Sequence, residues 1–203
     1  MISIDPALQS DRDNYKLLIG SVIPRPIALV TTLSEEGVLN AAPFSYFSIV
    51  ASRPPLLSVS VQRKQTAMKD TAVHAIKRGQ FVIHIPDETI VEKMNLTAAS
   101  LPSNESEVEM AGFTPVPSSV VTVPGLAEAK IRMECVLEQA IPLGGDGSGP
   151  ACDMLIGRVV RFHIAEALYE NGRIDARNLQ PVSRLAGSNY GKLGDLFSLE
   201  RPD

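Results

Sequence analysis

Strict alternation of apolar and polar residues is the feature that most limits what this chain can fold into. From Leu56 to Gln62 (L-L-S-V-S-V-Q), Leu57, Val59 and Val61 fall on one side, while Ser58, Ser60 and Gln62 fall on the other. A period of two belongs to a strand with one buried face. The pattern returns further along. Phe81, Ile83 and Ile85 share one face of F-V-I-H-I, and Ile131, Met133, Cys135 and Leu137 stand opposite Arg132, Glu134 and Glu138. Ile27 to Thr32 (I-A-L-V-T-T) is rich in branched residues, and the turn residues Ser34-Glu35-Glu36-Gly37 lead into a second strand toward Ala42. Asp153 to Ile164 reads as a longer strand, apolar at most positions and buried on both sides.

Helices are fewer. One is expected around Asp70 to Lys77, capped by Asp70 or Thr71 and stopped by Gly79. A second begins at Asp87 and carries Ile90, Val91, Met94 and Ala98 on one face. Strands at hairpin-scale spacing, with no regular strand–helix alternation, give a mainly β fold class. An antiparallel barrel with a few peripheral helices is expected rather than a doubly wound sheet. The 203 residues show no internal repeat or low-complexity linker, and 1–203 reads as a single domain.

Composition removes several classes of partner. A formal charge of −4 lacks a basic nucleic-acid footprint, and no apolar run is long enough to span a membrane. The opening M-I-S-I-D-P-A-L-Q-S-D-R-D has three aspartates and no apolar core, so no secretory signal is read. Cys135 and Cys152 fall short of a disulfide framework, and a cytoplasmic setting is expected.

Several chemistries can be weighed by spacing. The cluster G-G-D-G-S-G (Gly144 to Gly149) runs into Pro150 and a strand, whereas a phosphate loop must open onto a helix; it reads as a flexible connection. His74, His84 and His163 stand apart, so no metal site is expected, and no G-x-S-x-G nucleophile elbow occurs. His84 reads as a hydrogen-bonded wall residue. The run V-Q-R-K-Q-T-A-M-K-D-T (Val61 to Thr71) is more informative. Arg63 and Lys64 precede a helix start marked by Thr66, Lys69, Asp70 and Thr71. Cations, hydroxyls and free helix amides make a seat for a phosphate dianion, although the same residues suit a solvated turn with ordinary capping. Between Asn40 and Val61, prolines and small hydroxyls interrupt aromatic and aliphatic residues. Pro43, Pro54 and Pro55 would hold the chain out of a regular ladder and leave backbone groups for a flat ring walled by Phe44, Tyr46 and Phe47. The bland alternative is a proline-rich core loop packed on itself.

Taken together, I-P-R-P-I-A-L-V-T-T, N-A-A-P-F-S-Y-F, R-P-P-L-L-S-V-S-V and K-D-T resemble the flavin reductase-like, FMN-binding split-barrel family, in its flavoredoxin and ferric-reductase branch. Further signatures agree in order: K-M-N-L-T-A-A-S-L-P with S-E-V-E-M-A-G-F, then M-E-C, then the tail S-R-L-A-G-S-N-Y. The likeness covers nearly the full chain. It implies a Greek-key split barrel working as a homodimer, with FMN near the subunit interface. Asn40, Ala41, Ala42, Pro43, Phe44 and Ser45 would contact the isoalloxazine through backbone groups. Ser58, Ser60 and Arg63 would line the ribityl and phosphate path, with Lys64, Lys69, Asp70 and Thr71 close by. Arg184 and Tyr190 would close over the flavin from the same or the partner chain. Two departures stand out: Ala186 replaces the first glycine expected of R-L-G-G, and His84 stands where many relatives have asparagine.

The resemblance further implies hydride transfer from NADH or NADPH to flavin N5, a reaction needing no side-chain acid or base. An NAD(P)H-dependent flavin or ferric reductase is the first expectation. A non-enzymatic FMN carrier serving an electron-accepting protein is the second, and a barrel without its cofactor is the third. Arg25, between Pro24 and Pro26, either braces a turn or reaches the flavin.

Overall fold

A computed structural model of the chain describes residues 1–145 and 147–202. The chain opens with helix α1 (Asp11–Ser21), capped where the Ser10 hydroxyl accepts from the Asp13 amide. Only Ile19 of α1 is buried, so no apolar stripe announces this helix in the sequence. Strands β1 (Arg25–Pro26), β2 (Ala28–Leu33), β3 (Leu39–Phe44), β4 (Phe47–Ser52) and β5 (Pro55–Gln62) follow. Then come α2 (Asp70–Arg78), β6 (Gln80–His84), α3 (Val91–Leu96) and α4 (Glu107–Met110). A short pair, β7 (Pro115–Val116) and β8 (Gly125–Leu126), precedes the long hairpin of β9 (Ile131–Leu143) and β10 (Cys152–Ile164). The chain finishes with β11 (Tyr169–Glu170), β12 (Arg173–Ile174), α5 (Ala176–Leu179), β13 (Val182–Arg184) and β14 (Tyr190–Lys192).

The main sheet has seven strands in the order β3-β2-β6-β9-β10-β5-β4, and every pair is antiparallel. Its two edge strands are joined by only Ser45 and Tyr46. A flat sheet of this width would hold its edges roughly 29 Å apart, whereas the three Cα steps from Phe44 to Phe47 reach about 11 Å. The sheet therefore rolls to bring β3 and β4 together at this link, and the Ser60 amide, donating to the Tyr46 carbonyl at 2.9 Å, carries the β4–β5 ladder into it. This is the antiparallel barrel that the strand pattern led us to expect, in the split form that the resemblance implied.

Alternation decides the interior. Leu57, Val59 and Val61 point inward with Val30, Phe81, Ile83, Met133, Cys135 and Leu155. Each such side chain contributes about 1.5–3 kcal/mol on burial. A second core lies outside β2 and β3, where Leu29 and Ala41 pack on Ile90, Met94, Val108, Phe113 and Leu126. β2 is thus covered on both faces, as its branched residues imply.

Several expectations are corrected. β10 is buried on both faces only around Leu155 to Gly157, while Arg158, Arg161 and Phe162 are exposed. The stretch from Asn40 does form regular ladder: β3 pairs with β2 in unbroken register, with Pro43 opposite Leu29. Proline is tolerated there because β3 is an edge strand. Pro55 opens β5, and the chain breaks at Ser45 and Tyr46 instead. α2 ends on Gly79 at φ 67, as expected, but its cap is Lys69, whose side chain makes no capping bond. The second helix, α3, starts at Val91; Asp87 folds the preceding turn by accepting from the Thr89 and Ile90 amides. Ala98 is exposed rather than on its buried face. The glycine cluster connects β9 to β10, with Asp146 outside the described residues.

Candidate functional site

The outer side of the edge strand β3 opens onto a cavity of about 340 Å³. Asn40, Ala42, Pro43 and Phe44 form one wall, and Lys64, Lys69, Asp70 and Thr71 form the corner where the chain enters α2. Glu107 of α4 and the segment from Thr97 to Leu101 close the remaining side. Among the described residues, neither Lys64 nor Lys69 enters an ion pair, and nothing caps the first turn of α2 from Lys69. Two unpaired ammonium groups beside a helix N-terminus make a positive corner suited to an anion.

A second cavity, of about 170 Å³, shares Pro43, Phe44 and Ala98 with the first. It adds Ser45, Met94, Asn95, Arg184 and Tyr190. The β13–β14 register sets Arg184 directly opposite Tyr190, and the guanidinium stacks 4.5 Å from the ring centroid. Arg184 Nη2 donates to the Gly187 carbonyl at 2.6 Å, and the Tyr190 hydroxyl donates to Asn95 Oδ1 at 3.0 Å. Gly187, which follows Ala186, takes the left-handed conformation (φ 61) of this turn.

A buried polar network stands behind the first wall. Asn40 Oδ1 accepts from the Thr32 hydroxyl at 3.2 Å and the Thr71 hydroxyl at 3.0 Å. Asn40 Nδ2 donates to Glu107 Oε2 at 2.8 Å, and the Ala41 amide donates to the same oxygen at 3.4 Å. The Ala41 amide, expected to meet the ring, is therefore engaged by a carboxylate. Burial, with Asp70 adding repulsion, outweighs these bonds and raises the Glu107 pKa above its ordinary value.

Of the residues singled out in the sequence, Asn40, Ala42, Pro43, Phe44, Ser45, Lys64, Lys69, Asp70, Thr71, Arg184 and Tyr190 line these two adjoining cavities. Ala41 is buried behind the wall. Ser58, Ser60 and Arg63 line neither cavity. Arg63 is held by Asp153, donating through Nε at 2.9 Å and Nη2 at 2.6 Å, and Nη1 donates to the Thr66 carbonyl. That bidentate pair occupies the fork that a phosphate would need. Ser58 donates to the Ser48 carbonyl, and Ser60 accepts from Gln62. Glu107 and Asn95 escaped sequence reasoning. Both lie in quoted signatures, but Glu107 meets Asn40 across 67 residues of chain and no local spacing announces that.

His84 is the wall residue expected, fully buried between strands. The Leu126 amide donates to Nε2 at 3.0 Å, so Nδ1 carries the proton and donates to the Leu29 carbonyl at 2.9 Å. Among the described residues, no three His, Cys, Asp or Glu side chains gather to hold a metal, and no helix is long and apolar enough to cross a membrane.

These features define an antiparallel β-barrel with a cationic cavity at one edge. A sequence profile of the flavin reductase like domain matches residues 19–179, and the chain belongs to that family. Nitrilotriacetate monooxygenase component B from Bacillus cereus is 64% identical, with a TM-score of 0.97 over 98% of both chains. The 2-nitrobenzoate 2-nitroreductase of Pseudomonas fluorescens is 36% identical, with a TM-score of 0.88 over 99% of this chain and 96% of that one. Flavoredoxin of Desulfovibrio vulgaris (Miyazaki F) is 25% identical, with a TM-score of 0.75 over 88% and 91%.

Proposed function

We propose that this chain is an FMN-binding oxidoreductase in which NADH or NADPH reduces the flavin. The observation that carries this reading is the pair of adjoining cavities against Pro43 and Phe44, one of them ending in the unpaired Lys64 and Lys69 at the start of α2. A flat ring fits against small and proline residues of β3, and a phosphate fits the cationic corner with Thr71 beside it. Bound there, FMN supplies hydride acceptance and onward electron transfer. The chain's own residues bind and orient: Asn40 is locked at both ends of its amide, and Arg184 stacked on Tyr190 covers the second cavity. Flavin reduced there would serve another acceptor, in line with a relative that is one component of a monooxygenase and another that is a nitroreductase. The likeness to flavoredoxin favours a second reading, an FMN carrier serving an electron-accepting protein. The protein acts in this reading as a homodimer in the cytoplasm.

The test is direct. Purified protein titrated with FMN should bind it and then oxidise NADH or NADPH, seen as bleaching of the flavin band. Lys69→Ala with Lys64→Ala should weaken FMN binding by about 1.5–3 kcal/mol for each charge-assisted bond removed. Yellow protein inert to both nucleotides would favour the carrier, and protein that binds no FMN would end both readings.

A further inference from the structure

The signature S-E-V-E-M-A-G-F holds an acid that the reading above leaves without a task. Ser106 caps α4 by accepting from the Glu109 amide, and the helix start turns Glu107 toward β3. Glu107 is 6% exposed and lines the cavity assigned to the nucleotide. Its described donors are neutral: the side-chain amide of Asn40 and the backbone amides of Ala41 and of Glu107 itself. Among the described residues, no lysine, arginine or histidine forms an ion pair with it.

The surroundings add little to offset its charge. α2 contributes Asp70, which repels the carboxylate, and the neutral Thr71. Behind Asn40, Thr32 of β2 leads to His74 Nδ1 at 3.4 Å, a ring that burial keeps toward its neutral form. The segment from Thr97 to Leu101 is uncharged, and the cations of the cavity are Lys64 and Lys69. An arriving phosphomonoester carries about −1.5 to −2 charges at neutral pH. A buried carboxylate with only dipolar partners is the group in this cavity least able to stay ionised beside it.

We propose that Glu107 takes up a proton when an anionic flavin nucleotide enters this cavity, and so sets the pH dependence of binding. The inference rests on the FMN reading above. The sign follows from linkage: the bound chain holds the proton more tightly than the free chain. Affinity is therefore greatest at low pH and falls as pH rises through the pKa of the nucleotide-bound form.

Calorimetric titration of the apoprotein with FMN, in buffers of different ionisation enthalpy, counts the protons taken up. The wild-type chain should take up as much as one proton more per FMN than Glu107→Gln, whose affinity should change less with pH. The titration of the FMN phosphate itself is common to both and cancels in the difference. His74→Gln should keep the wild-type uptake. An infrared difference spectrum of the wild-type chain should gain a protonated carboxyl band on FMN addition, which covers the case of an unfolded variant. Equal proton counts in wild type and Glu107→Gln, or no such band, overturn the proposal. If neither protein binds FMN at any pH, the flavin reading itself has failed.

Discussion

Arg25 stands between two prolines with a guanidinium that meets no carboxylate among the described residues, although it is only 6% exposed. Nη1 donates to the Ile19 and Val22 carbonyls at 2.8 and 2.6 Å, which close the C-terminal end of α1. Nη2 donates to the Leu185 carbonyl at 3.0 Å and Nε to the Ser45 hydroxyl at 3.3 Å. A cation at the negative end of a helix is favourable, and four acceptors replace its hydration. Arg25 is thus a brace that ties helix, tail and cavity wall. Arg25→Met should lower unfolding free energy by about 3 kcal/mol in urea titrations, since orphaned carbonyls cost 1–3 kcal/mol each. The sequence left bracing and ligand binding both open because three of the partners are backbone carbonyls, which no side-chain pattern reveals. His84 offers a pH test at the same scale. Burial pushes its pKa to about 4 from an ordinary 6.5, so folding holds the neutral ring. Its contribution is present above pH 6.5 and is lost as pH falls toward 4, a difference of roughly 3 kcal/mol. Unfolding titrations of His84→Asn should lose part of that dependence between pH 7 and 5.

Between elements, the outer face of β9 carries the clearest departure from sequence expectation. Alternation sets Glu134 opposite Met133, which suggests solvent, yet its side chain is fully buried. Oε1 accepts from the Ser119 amide at 2.7 Å and meets His163 Nε2 of β10 at 2.5 Å, while Oε2 accepts from the Val120 and Val121 amides at 2.7 and 2.9 Å. A loop with no period of its own has folded over the strand, with Val121 and Val123 packing on Val82. The periodicity was legible; the covering loop was not, because its anchor is a carboxylate binding backbone amides. Burial opposes ionisation, but the bonds from His163 and the three amides outweigh it and hold Glu134 at a pKa of about 2. Its stabilisation is present above pH 4.5 and lost as pH falls toward 2. Glu134→Gln should speed hydrogen exchange either at Ser119 or at Val120 and Val121, because one oxygen still accepts but the amide nitrogen on the other side cannot. Gly157 of β10 makes room for Phe81, which reaches over β9 from β6: a Cβ there would lie 2.4 Å from Phe81 Cζ. Gly157→Ala should cost about 1–3 kcal/mol by thermal or urea unfolding, and Phe81→Leu in the same chain should return part of it.

For the whole molecule, the barrel and one edge of the site could be read in advance, since strand periodicity and the motif order both survive in the chain. The closing of the barrel at Ser45 and Tyr46 could not, because it depends on which strands become edges. The same closure leaves apolar surface uncovered. On β4, Ile49 and Val50 are 78% and 51% exposed, and Leu18 of α1 and Val22 just after it are 60% and 59% exposed. The two surfaces are neighbours: Arg25 ties the end of α1 to Ser45, and Tyr15 of α1 lies close enough to act on the ionisation of Tyr46. Neighbouring exposed branched residues of this kind suit an interface with another chain, and a second copy supplies a matching surface by symmetry. A dimer built there would flank Ser45, and with it the smaller cavity. Sedimentation equilibrium should give twice the chain mass for the wild-type protein, and Ile49→Lys with Val50→Lys should shift it to the monomer. Because these side chains contact solvent rather than core, the variant should keep its fold by circular dichroism while binding FMN more weakly. A wild-type chain that sediments as a monomer, with FMN affinity indifferent to both lysines, would mean that the exposed face of α1 and β4 takes no part in the site.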